Sequence, residues 1–345
     1  WNYYKENYSQ FLPYINNNFD FQELLSEILG ELNASHTGGR YQYRSGLNMG
    51  QLGVLYDEDY AGDGLKVKEV LPDGALSIAY PEIKEGDIIA SIDGKEIKAG
   101  EDWYQFLTGK AGKKTSVIIK KGGKKEVEVF VEPSFSDAGL MYNRWIRQRE
   151  AKVAELSGGK IGYVHVEGMN SPSFRNVYSK ALGKYRTTEA LIVDTRHNGG
   201  GWLHDDLVTF LSGKAYVEYR PRGRYIGTDP YSKWTKPSCV LTCEDNYSDA
   251  CGFPYAYQAL GIGKIIGSPV PGTMTAVWWE NQINSQIIFG IPQVGAWCLK
   301  EEQYNENHQV EPDILVYNDP VSVLKGEDKQ LEAAVKEMLS EASKK

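Results

Sequence analysis

Three kinds of hydrophobic spacing follow one another along this chain. In residues 1–34 the apolar positions Phe21, Leu24, Leu25, Ile28, Leu29 and Leu32 recur at i, i+3, i+4 and i+7. That period predicts an amphipathic helix. Asp20, with Glu23 three residues on, reads as its N-cap in a capping-box pattern. The helix runs out into a polar loop, Asn33-Ala34-Ser35-His36-Thr37-Gly38-Gly39-Arg40. Taken alone, His36 reads as an ordinary loop histidine.

From residue 47 to 134 the period changes to two. Leu65–Leu71 alternates apolar and polar positions, as a strand with one wet face does. Strands are also expected at 51–56 and 88–92, with Asp93-Gly94 as a tight turn and a helical turn at 75–79. A helix is expected around 101–107. A hairpin of 115–120 with 125–131 closes the module through Gly122-Gly123, before Pro133-Ser134. With the phrase Ile83-Lys84-Glu85-Gly86-Asp87-Ile88-Ile89-Ala90-Ser91-Ile92-Asp93-Gly94, this order resembles a PDZ domain. The resemblance implies a groove that takes a peptide by strand addition, with a carboxylate-binding loop near Met49–Gly53. The plain alternative is a spacer.

Beyond a charged helix over 141–156, strand and helix patterns alternate. Strands are expected at 161–166, 190–195 and 239–242, the latter two as buried apolar runs of the kind covered on both faces. Helices are expected at 172–185, 204–211, 252–260 and 329–339, and β structure at 276–299. The fold class read from this is α/β (α+β multidomain). The domains expected are 1–46, 47–134 and 135–345.

Composition narrows the chemistry. A chain of 345 residues with 41% hydrophobic and 24% charged residues has an ordinary globular composition. A net charge of −8 argues against a nucleic-acid or anionic-membrane surface. No apolar run approaches the ~20 residues of a membrane span. The chain opens Trp1-Asn2-Tyr3-Tyr4 without a leader-like pattern or an initiating Met, as a trimmed chain would. Compartment and oligomeric state are not assigned. Four cysteines make no disulfide framework, and Cys239 and Cys243 stand ~13 Å apart along a strand. No CxxC or HxxxH spacing occurs, so neither a metal nor a cofactor is expected.

The candidate chemistry gathers at two turns. Ser248 lies between the Cys239–Thr242 strand and the following helix. There the first helical N–H groups are free, and they can hold a developing oxyanion. The alternative is that Ser248 or Asp249 only caps the helix. The second turn, Asn198-Gly199-Gly200-Gly201, lets the backbone approach a substrate oxygen, and the lysine of a phosphate loop is missing. It reads as the other half of an oxyanion hole with the Asp249 N–H. Ser248 needs a base. Twenty-five residues downstream, where a Ser-Lys peptidase of the C-terminal processing kind carries its lysine, stands Thr273.

Ser35-His36 after a helix, the PDZ-like insert, Asp194–Gly201, Tyr247-Ser248-Asp249-Ala250 and Glu306-Asn307-His308-Gln309-Val310-Glu311-Pro312-Asp313 occur in one order. That order resembles the catalytic half of the tricorn proteases and their C-terminal processing relatives, over nearly the whole chain. The resemblance implies a layered crotonase/ClpP-like core, with a helical N-terminal subdomain and an inserted PDZ-like β-rich domain. It implies Ser248 as nucleophile, His36 as general base, and Ser35 and Glu306 as groups that orient it. Gly199 or Gly200 would join Asp249 in the oxyanion hole. Glu301, Glu302 and Glu311 lie close to Glu306 and compete for its place. No repeat pattern of the kind that tricorn's two β-propellers carry is read along these 345 residues. The segment 216–236, rich in arginine and tyrosine, reads as a solvated edge or a substrate-lining loop.

The function expected is a serine peptidase acting on oligopeptides or unfolded protein segments, with a peptide C-terminus at the PDZ-like domain. The alternatives are a catalytically silent peptide or small-ligand binder on the same scaffold, or an acyl-transfer enzyme.

Overall fold

The computed structural model describes residues 1–43, 48–122 and 125–344. The expected boundary between 46 and 47 and the second residue of the Gly122-Gly123 turn lie outside them. Contacts divide the chain into two units. One joins Trp1–Tyr43 to Arg149–Lys345, and the other is Arg44–Gln148. The N-terminal helices therefore belong to the same compact unit as the strand–helix core. Helix Ala138–Ser157 begins in the other unit. Its first turns are tied there, because the Arg144 Nε donates to both Glu69 oxygens at 2.7 and 2.8 Å.

In the first unit, α1 (Asn18–Gly30) is capped by Asn17. The Asn17 side chain accepts the N–H groups of Phe19 and Asp20. This corrects the expected Asp20 cap. Asp20 sits inside the first turn and accepts the Asn16 N–H at 2.9 Å. After the loop, β1 (Gly38–Tyr41) carries the chain into a three-stranded antiparallel sheet.

The core sheet is parallel and five-stranded among the described residues. Its strands are β2 (Ile161–His165), β3 (Ala190–Asp194), β4 (Ser238–Thr242), β5 (Lys264–Gly267) and β8 (Ile314–Leu315), in spatial order β8-β5-β4-β3-β2. Every residue of β2, β3 and β4 is buried, as continuous apolar runs between two helical layers require. Each buried Val, Leu or Ile there contributes roughly 1.5–3 kcal/mol. The C-terminal helix Lys329–Ser343 packs across β2, β3, β4 and β5.

Strands β6 (Ala276–Asn281) and β7 (Ile287–Val294) complete the small sheet, in the order β1-β7-β6. Gly38 pairs with Gly290 and Tyr41 with Ile287. This pairing pins the N-terminal loop to the last third of the chain. A side chain at Gly290 would meet the His36 carbonyl at 2.8 Å, so the approach requires glycine.

The second unit has its own core, with Val67, Ile89, Ile92, Val117 and Ile119 fully buried. Its strands pair in the order Val54–Tyr56, Leu65–Val70, Ile88–Ile92, Thr115–Lys121, Lys125–Val131. The expected helix at 101–107 is a short 3-10 helix, Trp103–Leu107. In the expected carboxylate loop, the Gly53 N–H donates to Asp137 Oδ2 at 2.9 Å, so a carboxylate of this chain already lies against it.

Candidate active site

The helix after β4 begins three residues earlier than its apolar pattern suggests, at Asp249. Ser248 thereby becomes the N-cap residue, with φ 57° and ψ −126°. A non-glycine residue held at positive φ costs on the order of 1–3 kcal/mol, and the surroundings must impose it. They do so through several bonds. The Ser248 N–H donates to Thr273 Oγ1 at 2.8 Å, and the Cys251 N–H donates to the Ser248 carbonyl at 2.8 Å. The Tyr247 N–H donates to the Asn198 carbonyl at 3.0 Å. Asn246 Nδ2 donates to Thr195 Oγ1 at 2.9 Å. Thr273, noted for replacing a lysine, thus shapes the turn that presents the serine.

The capping alternative fails for both residues. Ser248 occupies the cap position, yet its side chain makes no cap hydrogen bond. The Asp249 carboxylate turns to the neighbouring helix His204–Leu211, accepting the His204 N–H at 3.1 Å and pairing with His204 Nδ1. That pairing raises the pKa of His204.

Strands β3 and β4 lie side by side in parallel register, Asp194 opposite Leu241. The triple-glycine turn after β3 therefore lies next to the Ser248 turn. Gly200 has φ +99°, and a Cβ there would stand 2.6 Å from the Ser248 Cβ and 3.1 Å from the Asp249 nitrogen. The Gly200 N–H already donates to Asn198 Oδ1 at 2.8 Å. The N–H groups of Gly199, Gly201 and Asp249 have no acceptor among the described residues.

The polar loop from the N-terminus arrives at the same place. Ser35 Oγ lies 2.9 Å from His36 Nδ1 and 3.1 Å from Glu306 Oε2. Glu306 Oε1 accepts the Ser35 N–H as well. The His36 N–H donates to the Tyr247 hydroxyl at 2.6 Å, and the two rings lie 4.7 Å apart between centroids. Thr275 Oγ1, just before β6, lies 2.7 Å from Ser35 Oγ and 3.0 Å from His36 Nδ1. The network occupies Nδ1 and leaves Nε2 and Ser248 Oγ without a protein hydrogen bond among the described residues. A cavity of about 510 Å³ opens here, lined by Ser35, Tyr247, Thr273 and Glu306 among others.

Burial lowers the pKa of His36. The Glu306 carboxylate opposes that shift, and Arg40 adds to it. The net direction favours neutral imidazole at neutral pH, the form that can accept a proton. Of the competing glutamates, Glu301 accepts the Tyr255 hydroxyl at 2.8 Å and Glu302 is exposed. Glu306 is the carboxylate that reaches Ser35. Thr275, the Tyr247 hydroxyl and the His204–Asp249 pair carried no readable signal in the sequence, since their partners lie 45 to 240 residues away.

Residues 160–316 match peptidase family S41, and residues 60–134 match the tricorn protease PDZ domain. The tricorn protease of Thermoplasma acidophilum is 26% identical over 349 residues, covering 97% of this chain and 32% of its own length. Tricorn protease homolog 1 of Streptomyces coelicolor is 28% identical over 347 residues, with the same two shares. This chain thus spans about a third of the length of the curated relatives it matches. The crystal structure of the tricorn protease superposes with a TM-score of 0.88 at 23% identity, over 98% of this chain and 34% of that one. That likeness bears out the layered α/β core with its helical N-terminal segment and inserted PDZ-like domain. No helix among the described residues is long and apolar enough to cross a membrane. With an S41 match over its core and a tricorn PDZ match before it, this chain is similar to the tricorn-like peptidases of family S41.

Proposed function

We propose that this chain hydrolyses peptide bonds of oligopeptides or unfolded protein segments through an acyl-enzyme on Ser248. One observation carries the reading. Residues some 210 to 270 positions apart converge so that His36 Nδ1 is held by hydroxyls leading to Glu306, while the His36 backbone is held by the residue before Ser248. Fixing Nδ1 directs the remaining ring nitrogen to proton transfer.

In the proposed cycle Ser248 Oγ attacks the substrate carbonyl carbon as its proton passes to His36 Nε2. The carbonyl oxygen becomes an oxyanion, and the backbone N–H groups of Asp249 and of the glycine turn, Gly199 or Gly200, face it. Because the Gly200 N–H is already donated to Asn198, Gly199 is the better second donor of the two. The intermediate collapses, the C–N bond breaks, and the leaving amine takes the proton from Nε2. Water then attacks the ester carbonyl, gives a proton to Nε2, and the returning proton frees Ser248. Ser35 and Glu306 stabilise the imidazolium in between, one hydroxyl removed from a direct carboxylate contact.

The test is substrate-independent. A fluorophosphonate probe should label the protein at Ser248, and Ser248→Ala should lose both labelling and peptide hydrolysis with unchanged circular dichroism. An unlabelled, folded wild-type protein would return the chain to the silent-binder reading.

A further inference from the structure

A second cluster of reactive side chains lies in the same two loops, apart from the His36 network. Cys243 follows β4 by one residue, and His197 follows β3 by three. The parallel pairing of the strands brings their exits together. His197 has φ 63°, which turns its ring back toward the Cys243 loop. His197 Nδ1 lies 2.8 Å from Asp245 Oδ2 and 3.8 Å from Cys243 Sγ. The His197 N–H donates to that same sulfur at 3.2 Å, and the sulfur lies 3.5 Å from Asn246 Oδ1. One ligand atom from each of the three side chains lies within 4.8 Å of the other two.

We propose that His197, Cys243 and Asp245 bind one zinc-class divalent cation, through Nδ1, Sγ and a carboxylate oxygen. The ligand set is one nitrogen, one sulfur and one oxygen, which a borderline-soft ion takes and magnesium or calcium do not. At zinc bond lengths of about 2.0–2.3 Å, tetrahedral ligands stand roughly 3.3–3.7 Å apart. The present separations of 2.8 and 3.8 Å bracket that range, so shifts of about half an ångström bring these two pairs to it, while the sulfur and the carboxylate, within 4.8 Å of each other, need up to about 1 Å. Cys243 is buried, while the His197 and Asp245 side chains are 60% and 65% exposed. An ion can therefore enter from solvent and keep a water as its fourth ligand. The bound ion would stitch the loop bearing the triple glycine to the loop bearing Ser248.

Untagged, chelator-treated protein is titrated with Co²⁺ as a spectroscopic probe and with Zn²⁺ by calorimetry. One equivalent should bind, with a sulfur-to-cobalt charge-transfer band that Zn²⁺ abolishes. Cys243→Ser should remove the band. Asp245→Asn and His197→Gln should weaken Zn²⁺ at least tenfold, and Cys298→Ser should leave both readouts unchanged. Asp245 is exposed, so its variant decides the matter even if Cys243→Ser fails to fold. No band in the wild-type protein, a band that survives Cys243→Ser, or unchanged Zn²⁺ affinity in Asp245→Asn overturns the assignment. Ser248→Ala should bind as the wild type does, which keeps this test separate from the peptidase reading.

Discussion

Replacing Glu306 with glutamine removes one charge and little volume, and the structure sets what that charge does. The Ser35 hydroxyl stands between carboxylate and ring, at 3.1 Å and 2.9 Å, so the carboxylate oxygen lies no further than about 6 Å from Nδ1. At that separation a charge pair is worth about 2.8 kcal/mol at an effective dielectric of ~20, and about 0.7 kcal/mol if water screens it fully. His36 is only partly buried, so the effect lies between these bounds. The Ser35 bonds to a charged acceptor also weaken, by about 1 kcal/mol. The imidazolium that forms during attack should be destabilised by roughly 2–3 kcal/mol, a loss of about 30- to 160-fold in rate. The assay is the second-order rate of fluorophosphonate labelling across pH, which reads nucleophile activation without a known substrate. Glu306 raises the His36 pKa, so its removal should carry the acid limb to lower pH while the plateau falls. Glu301→Gln, Glu302→Gln and Glu311→Gln should do neither. A plateau within threefold of wild type, or a limb displaced to higher pH, refutes the assignment of Glu306.

Gly200→Ala should cost about a hundredfold or more in labelling rate, because its Cβ displaces the Ser248 backbone by the order of an ångström. His204→Gln should lower labelling without abolishing it, since the Asp249 carboxylate loses its partner on the glycine-turn side. The raised His204 pKa sets the pH window for stability. The gap in urea midpoint between wild type and His204→Gln should be full below about pH 6.5 and should shrink as pH rises through the folded-state value. A gap that widens at alkaline pH refutes the pairing. Arg196→Met should cost about 3–5 kcal/mol in urea unfolding, because it leaves the buried Asp194 carboxylate without its cation, while Asp328 keeps Arg149 at 3.3 Å. Burial pushes the Asp194 carboxyl up, but Arg196 outweighs it and holds it near 2. That carboxylate's contribution to wild-type stability is therefore present above about pH 4 and lost as pH falls toward 2.

The inner strands were readable because a run such as Ala190-Leu191-Ile192-Val193 has one stable destination, a sheet covered on both faces. The helix at 204–211 was readable to the residue from its apolar spacing. Its neighbour at 249–259 was not. Its first turn, Asp249-Ala250-Cys251, is buried by contacts from elsewhere, so no amphipathic period announces it. The Asn17 cap lost to Asp20 in the sequence reading because both residues are good caps, and only the chain's entry angle chooses between them.

For the candidate site, the sequence by itself determined the types and order of the candidate residues: Ser35-His36, the glycine turn, Ser248 and a group of nearby glutamates. Those are local properties of short segments. Tertiary structure decided which glutamate reaches Ser35, which ring nitrogen is held, and that Thr275 and Tyr247 hold the histidine. It also brought His197 beside Cys243, two residues with no spacing motif, because their strands are parallel neighbours. The physical reason is the same in each case. A hydrogen bond or a ligand shell is a matter of ångströms between atoms, and strand pairing over more than 200 residues sets those ångströms, as when Gly38 meets Gly290.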